Sequence, residues 1–132
     1  MCDRIKEEII LIRKYYPNLE HDNERRWVII HDYLLPKDMH WNKNAIDVCF
    51  FIPNGYPGTN PYGFYVPSDL RYGDQPPNNY NPSPDNKPPF SGNWSLISWM
   101  PADKWNPAAE IQKGSNLLNF VRSFYSRFKD GR

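Results

Sequence analysis

The sequence predicts an α+β fold, an antiparallel β-meander flanked by an N-terminal helix and C-terminal helices. Three observations carry this. Apolar residues recur at helical spacing near the two ends of the chain. Between them lie runs rich in β-branched and aromatic residues, each closed by a proline. The 14 prolines among 132 residues exclude an all-helical bundle, because each one removes a backbone donor and fixes φ.

Residues 3 to 16 read as an amphipathic helix. Asp3 is placed to cap its first turn, and Ile5, Ile9, Ile12 and Tyr16 form its apolar stripe. Pro17 and Asn18 end it. Lys6, Glu7, Glu8, Arg13 and Lys14 are expected on a solvated polar face. Three strands follow. Residues 26 to 35 (RWVIIHDYLL) close at Pro36, and residues 45 to 52 (AIDVCFFI) close at Pro53. The second of these is nearly continuous in apolar residues, as a central strand covered by a core would be. Residues 63 to 66 (GFYV) stop at Pro67.

From residue 71 to residue 95 there is no Ile, Leu, Val or Met, and six prolines lie inside the stretch. Such a segment is expected to be an ordered, surface-hugging loop rather than a core strand or helix. Asn106 and Pro107 then cap and start a short helix to about residue 112, which Gly114 breaks. Ser115 begins a last helix with Leu117, Val121, Phe124 and Phe128 as its stripe, broadened by Leu118 and Tyr125. Its basic residues suit the helix C-terminus. The whole of residues 1–132 is expected to form one domain.

Composition narrows the function classes. Lys and Arg number 16 against 15 Asp and Glu, a net charge of +1, which argues against nucleic acid or an anionic membrane surface as partner. No apolar window is long enough to span a membrane, and the first ten residues do not read as a signal peptide. Cys2 and Cys49 make no disulfide framework, so a cytoplasmic location is expected. His21, His31 and His40 share no metal-ligand spacing with them, and no metal is expected.

Two motifs then carry a resemblance. Tyr56-Pro57-x-x-x-Pro61 lies between two apolar strands, where prolines preset φ across a wide hairpin. It resembles the Y-P-x-x-x-P turn of the ubiquitin-conjugating (UBC) fold. The segment G-N-W-S-L-I-S-W-M-P-A-D-K-W-N-P is similar to that superfamily's G-x-[IV]-C-L-x-I-L followed by W-x-P-A. Gly92 falls on the motif glycine, Leu96 on the residue after the cysteine, and Trp105-Asn106-Pro107-Ala108 on W-x-P-A. The likeness spans roughly residues 3 to 128 and looks like the bacterial conjugating-enzyme-like proteins of prokaryotic family E. Tyr56, Pro57, Pro61, Trp105 and Pro107 are then scaffold, and Trp94, Trp99 and Trp105 are expected to pack the long loop onto the final helices.

The departure is chemical. Ser95 stands where the family has its catalytic cysteine, and no cysteine follows Cys49, itself expected to be a buried core thiol. Pro84-Asp85-Asn86 is the nearest counterpart of the family's H-P-N, without the histidine. The resemblance therefore implies a bacterial ubiquitin-like conjugating enzyme that receives a ubiquitin-like C-terminus from a ThiF-type activating enzyme. Ser95, or Ser98 three residues on, would hold it as an oxyester, which demands strong activation of a weakly acidic hydroxyl. Asn86 would donate to the oxyanion and Asp103 would orient the incoming nucleophile. Lys6, Arg13 and Lys14 would meet an acidic partner. A JAB-type peptidase belongs to such pathways. No cofactor is implied, as the activating partner consumes the ATP. The alternative is a catalytically inactive UBC-variant binding module that positions a ubiquitin-like protein.

Overall fold

The computed structural model describes residues 2–22, 24–99, 105–107, 110 and 113–132. Its elements are α1 (Cys2–Tyr15), β1 (Leu19–Asp22), β2 (Trp27–Leu34), β3 (Ala45–Phe51), β4 (Phe64–Pro67), β5 (Tyr80–Asn81), β6 (Trp94–Ile97) and α2 (Leu117–Lys129). The fold is α+β. One antiparallel sheet runs in the order β1-β2-β3-β4-β6-β5, and both helices pack on one of its faces.

Several elements differ from the sequence expectation. Helix α1 begins at Cys2, ahead of Asp3. The polar strand β1 (LEHD) has no apolar alternation to betray it, and it exists because β2 offers it a complete antiparallel register. The segment of residues 71 to 95 is not strand-free. Residues Tyr80 and Asn81 form a two-residue edge strand, and Trp94 and Ser95 begin β6. Strand β6 gains its aliphatic residues, Leu96 and Ile97, just past the end of that stretch, and it pairs along all of β4. The short helix expected from residue 107 to 112 lies largely outside the described residues, and Trp105, Asn106 and Pro107 are not helical.

The main core lies between sheet and helices. Ile5, Ile9 and Ile12 of α1 face Val28, Ile30, Val48 and Phe50 of the sheet, and Phe120, Val121, Phe124 and Phe128 of α2 close it. The predicted stripe of α2 is fully buried, whereas Tyr125 is 41% exposed instead of widening it. Asn116, not Ser115, caps α2: its side chain accepts the Asn119 amide while the Asn119 side chain accepts the Asn116 amide. Arg127 does more than complement the helix end. It is buried and donates to the carbonyls of Asn78, Gly131 and Arg132, tying α2 to the proline-rich segment.

The sheet's other face holds a second cluster of Trp27, Ile29, Cys49 and Tyr65, with Phe51, Phe90, Trp94 and Leu96 packed against it. Trp94 thus covers this face, its indole donating to the Phe90 carbonyl, rather than the final helix. Trp99 does meet α2, through a 2.9 Å bond to Ser123 Oγ. Gly63 sits where β4 enters, at φ +70°, and a Cβ there would lie 2.9 Å from the Ile97 carbonyl oxygen. Only glycine fits that seam between β4 and β6.

Glu8, expected on the solvated face of α1, is fully buried. Its carboxylate accepts from Tyr56 Oη (2.6 Å), the Leu117 backbone amide (2.6 Å) and Arg4 Nε (2.8 Å). The carboxylate thus sits at the positive end of α2, which a macrodipole favours. Replacing Glu8 with alanine strands buried donors on three elements, so Glu8→Ala is expected to cost about 3 kcal/mol. Tyr56→Phe, which removes one charge-assisted bond, costs about 2 kcal/mol. Urea unfolding of the two variants and their combination checks this. Strict additivity would show that the two groups do not interact.

His31 on the second face lies between two carboxylates, its Nε2 on Glu20 and its Nδ1 3.2 Å from Asp47 Oδ2. Only the imidazolium donates from both nitrogens. The Glu20 hydrogen bond, with Asp47 helping, holds the His31 pKa above its ordinary value despite some desolvation. A raised folded-state pKa gives stability that is complete below the unfolded value of 6.5 and lost as pH rises through the folded one. The urea midpoint is therefore expected to fall as pH climbs past that range. His31→Gln should flatten this slope, and an unchanged slope would refute the assignment.

Candidate functional site

The candidate site lies where β4 ends and β6 begins, and it is built around Ser68. Strand alternation explains the placement of Ser95. Ser95 pairs with Val66 and with it faces the core, and Ser68 lies half-buried in the turn that directly follows β4. The two serine hydroxyls meet at 2.8 Å. Every other polar group of Ser68 is also engaged. Its amide donates to the Asn93 carbonyl at 3.0 Å, and its carbonyl accepts from Tyr80 Oη at 2.7 Å and Arg71 Nη1 at 3.0 Å.

Arg71 is fixed in turn. Its Nη1 also donates to the Leu70 carbonyl, its amide donates to Asn42 Oδ1, and its guanidinium lies 5.9 Å from the centre of the Tyr80 ring. Two adjoining cavities of about 490 and 450 Å³ open here, sharing Ser68, Arg71, Gly92, Asn93 and Trp94. One adds Lys87, Tyr80 and two prolines as walls. The other adds Asp47 and Asp69, which are already paired with His31 and Lys43. The cleft therefore has a cationic half with aromatic walls, suited to an anionic or carbonyl-rich extended chain.

The sequence-derived candidates distribute unevenly around it. Ser95 is fully buried in β6 and reaches the cleft only through Ser68. Ser98 is half-buried just past β6, its amide bonded to the Asn79 carbonyl at 2.9 Å. Asn86 is exposed in the proline-rich segment. Asp103 lies outside the described residues. Lys6, Arg13 and Lys14 are exposed on α1, away from the cleft, around an Ile10 that is 58% exposed. From sequence, Ser68 and Arg71 have no role, and Tyr80 reads only as a large aromatic anchor of the proline-rich stretch. The one available signal was the position of Ser68, immediately after the strand-closing Pro67.

The motif residues do meet. Tyr56 is buried with its hydroxyl on Glu8, Pro61 is buried, and the Trp105 indole donates to the Pro57 carbonyl at 2.9 Å. The Tyr56 and Trp105 rings lie 5.9 Å apart. Pro107 is half-buried. Cys49 is free and wholly buried, and burial pushes its thiol pKa far up, so it supplies no thiolate near neutral pH. Among the described residues no group of three or more His, Cys, Asp or Glu converges on a metal-sized site, and no helix is long and apolar enough to cross a membrane.

Comparison with curated proteins and with solved structures gives no match. A family model does match, the one described as prokaryotic E2 family E, over residues 9–111. That span takes in the second half of α1, the Tyr56-Pro57-x-x-x-Pro61 turn, the Ser68 cleft and Trp105 to Pro107. The chain belongs to prokaryotic E2 family E, and it is an E2-like protein of ubiquitin-like conjugation.

Proposed function

We propose that the protein acts as a UBC-variant module that seats the C-terminal tail of a ubiquitin-like protein in the Ser68–Arg71 cleft. The observation that carries this reading is the burial of Ser95. The residue at the family's cysteine position points into the core, so an acyl group on it has no room unless β4 and β6 part. The cleft beside it offers what a tail needs. Among the described residues, Nε and Nη2 of Arg71 make no hydrogen bond, Lys87 lies near, and Trp94 gives a flat wall. A ThiF-type activating enzyme supplies the activated tail at the expense of ATP, and a JAB-type peptidase acts in the same pathway. Lys6, Arg13 and Lys14 around exposed Ile10 form the face for an acidic surface of the activating enzyme. No cofactor is required of this chain.

The 2.8 Å hydroxyl pair favours a second reading, in which the protein is a conjugating acyltransferase. Here Ser95 or Ser98 attacks the thioester carbonyl held by the activating enzyme. A C–O bond forms, the C–S bond breaks, and the thiol leaves with the hydroxyl's proton. Asn86 would steady the oxyanion and Asp103 would orient the incoming amine.

One incubation separates the two. The protein is mixed with the activating enzyme, the ubiquitin-like protein and ATP. The positioning reading expects no covalent adduct and a noncovalent complex weakened about tenfold by Arg71→Ala, the loss of one charge-assisted contact. The acyltransferase reading expects a band that survives thiol reductant, is cleaved by hydroxide, and disappears in Ser95→Ala or Ser98→Ala. A thiol-sensitive band that needs Cys49 would overturn both.

A further inference from the structure

Among the described residues five large apolar side chains are strongly exposed, and three of them gather at one place, around a cavity that shares no lining residue with the Ser68 cleft. Tyr15 (56% exposed) ends α1, Leu34 (69%) ends β2, and Tyr125 (41%) projects from α2. They frame a cavity of about 320 Å³ whose walls also include Tyr16, Pro17 and Tyr33. Leu34 and Tyr125 continue into a second cavity of about 750 Å³ that reaches Lys37 and Lys129. Contiguous exposed apolar surface of this kind marks an interaction site.

The backbone is arranged to create the patch. Between Ile30 and Tyr33 the register of β2 slips by one residue against β3, and Asp32 takes φ +58°. Without that bulge, strict alternation would turn Leu34 toward the core and Tyr33 away from it. With it, Tyr33 is buried and donates to the Val121 carbonyl, while Leu34 faces solvent. A left-handed backbone at a non-glycine residue is strain, and bulges commonly re-aim a side chain at a working surface.

The walls are rigid. Tyr16 and Tyr33 stack at 5.5 Å with an interplanar angle of 7°, and the Arg122 guanidinium lies 4.6 Å from the Tyr15 ring centre. Ordered tyrosine and arginine side chains bind at low entropic cost. Arg122 and Lys129 stand on α2, and Lys37 lines the second cavity with Lys129. Among the described residues the only carboxylate lining either cavity, Asp32, lies on the strand side beside His31, whose ring is already paired with Glu20 and Asp47. A second copy docked by a twofold axis would bring these cations toward one another, so self-association is disfavoured.

We infer that this patch binds an acidic protein segment that inserts one large apolar side chain between Tyr15, Leu34 and Tyr125. The anchor fills the tyrosine-walled cavity, and flanking carboxylates meet Lys37, Lys129 and Arg122. The site is separate from the tail cleft and does not depend on the function proposed for it.

The test is fluorescence polarisation on the whole protein with three labelled probes. One is a short peptide of aspartates and glutamates around a central phenylalanine, the second replaces phenylalanine with serine, and the third replaces the acids with lysines. The first peptide is expected to bind and the others at least about tenfold more weakly. Raising salt from about 0.05 M to about 0.5 M should weaken binding strongly, as screened charges require. Leu34→Ser, at an exposed position, should abolish binding without changing the unfolding midpoint, and Lys129→Glu should weaken it. Equal affinity for the lysine peptide, no binding of the first peptide, or binding unchanged by Leu34→Ser would overturn the inference. So would a concentration-dependent dimer in light scattering that Leu34→Ser dissolves, which would assign the patch to a second copy.

Discussion

The buried carboxylate of Glu8 is the constraint on which the remaining architecture rests. It binds donors from three separate parts of the chain, the first turns of α1, the Tyr56 turn and the start of α2. A carboxylate without water is costly unless its lone pairs are filled, so the three elements must be in place together. Once they are, the Tyr56 ring lies under Trp105, whose indole reaches the Pro57 carbonyl. The same arrangement brings α2 over the sheet, where Phe64 and Phe124 stack at 4.1 Å.

The second face of the sheet is solved differently. No described helix covers it, and aromatic side chains from the proline-rich segment do so instead. Proline suits this task because it brings no N–H that would need a partner beneath the loop. The donors that remain are satisfied by distant parts of the chain: the Gly73 amide reaches the His40 carbonyl, and the Asn78 amide reaches the Arg132 carbonyl. Arg127 and Tyr80 pin the same segment from below. The cleft at Ser68 is therefore made by a loop held at many points, and its shape is set before any ligand arrives.

The sequence made legible whatever depends on local periodicity. The stripe of Leu117, Val121, Phe124 and Phe128 is wholly buried, and prolines do fall at or just after the ends of β2, β3 and β4. What depends on partners distant in sequence was not legible. Glu8 looks like any surface glutamate until Tyr56 and Leu117 are beside it. Strand β1 is polar and follows from β2 alone. The link between Ser95 and Ser68 spans 27 residues, and no spacing rule announces it. Motif alignment points to Asn86 and Ser98, but Ser98 lies half-buried past the end of β6 opposite the cleft and Asn86 is exposed in the proline-rich segment.

The bulge at Asp32 has a consequence for chain length. The core residues of β2 are spaced by two from Val28 to Ile30 and then by three to Tyr33, so one residue is surplus to the core's own count. Excising Asp32 would restore even alternation with Tyr33 still inside and Leu34 still outside. An added residue elsewhere in β2 would instead drive polar groups into the core. This strand is thus open to shortening at one point and closed to lengthening, which makes Asp32 a natural place for single-residue deletion as the chain diverges.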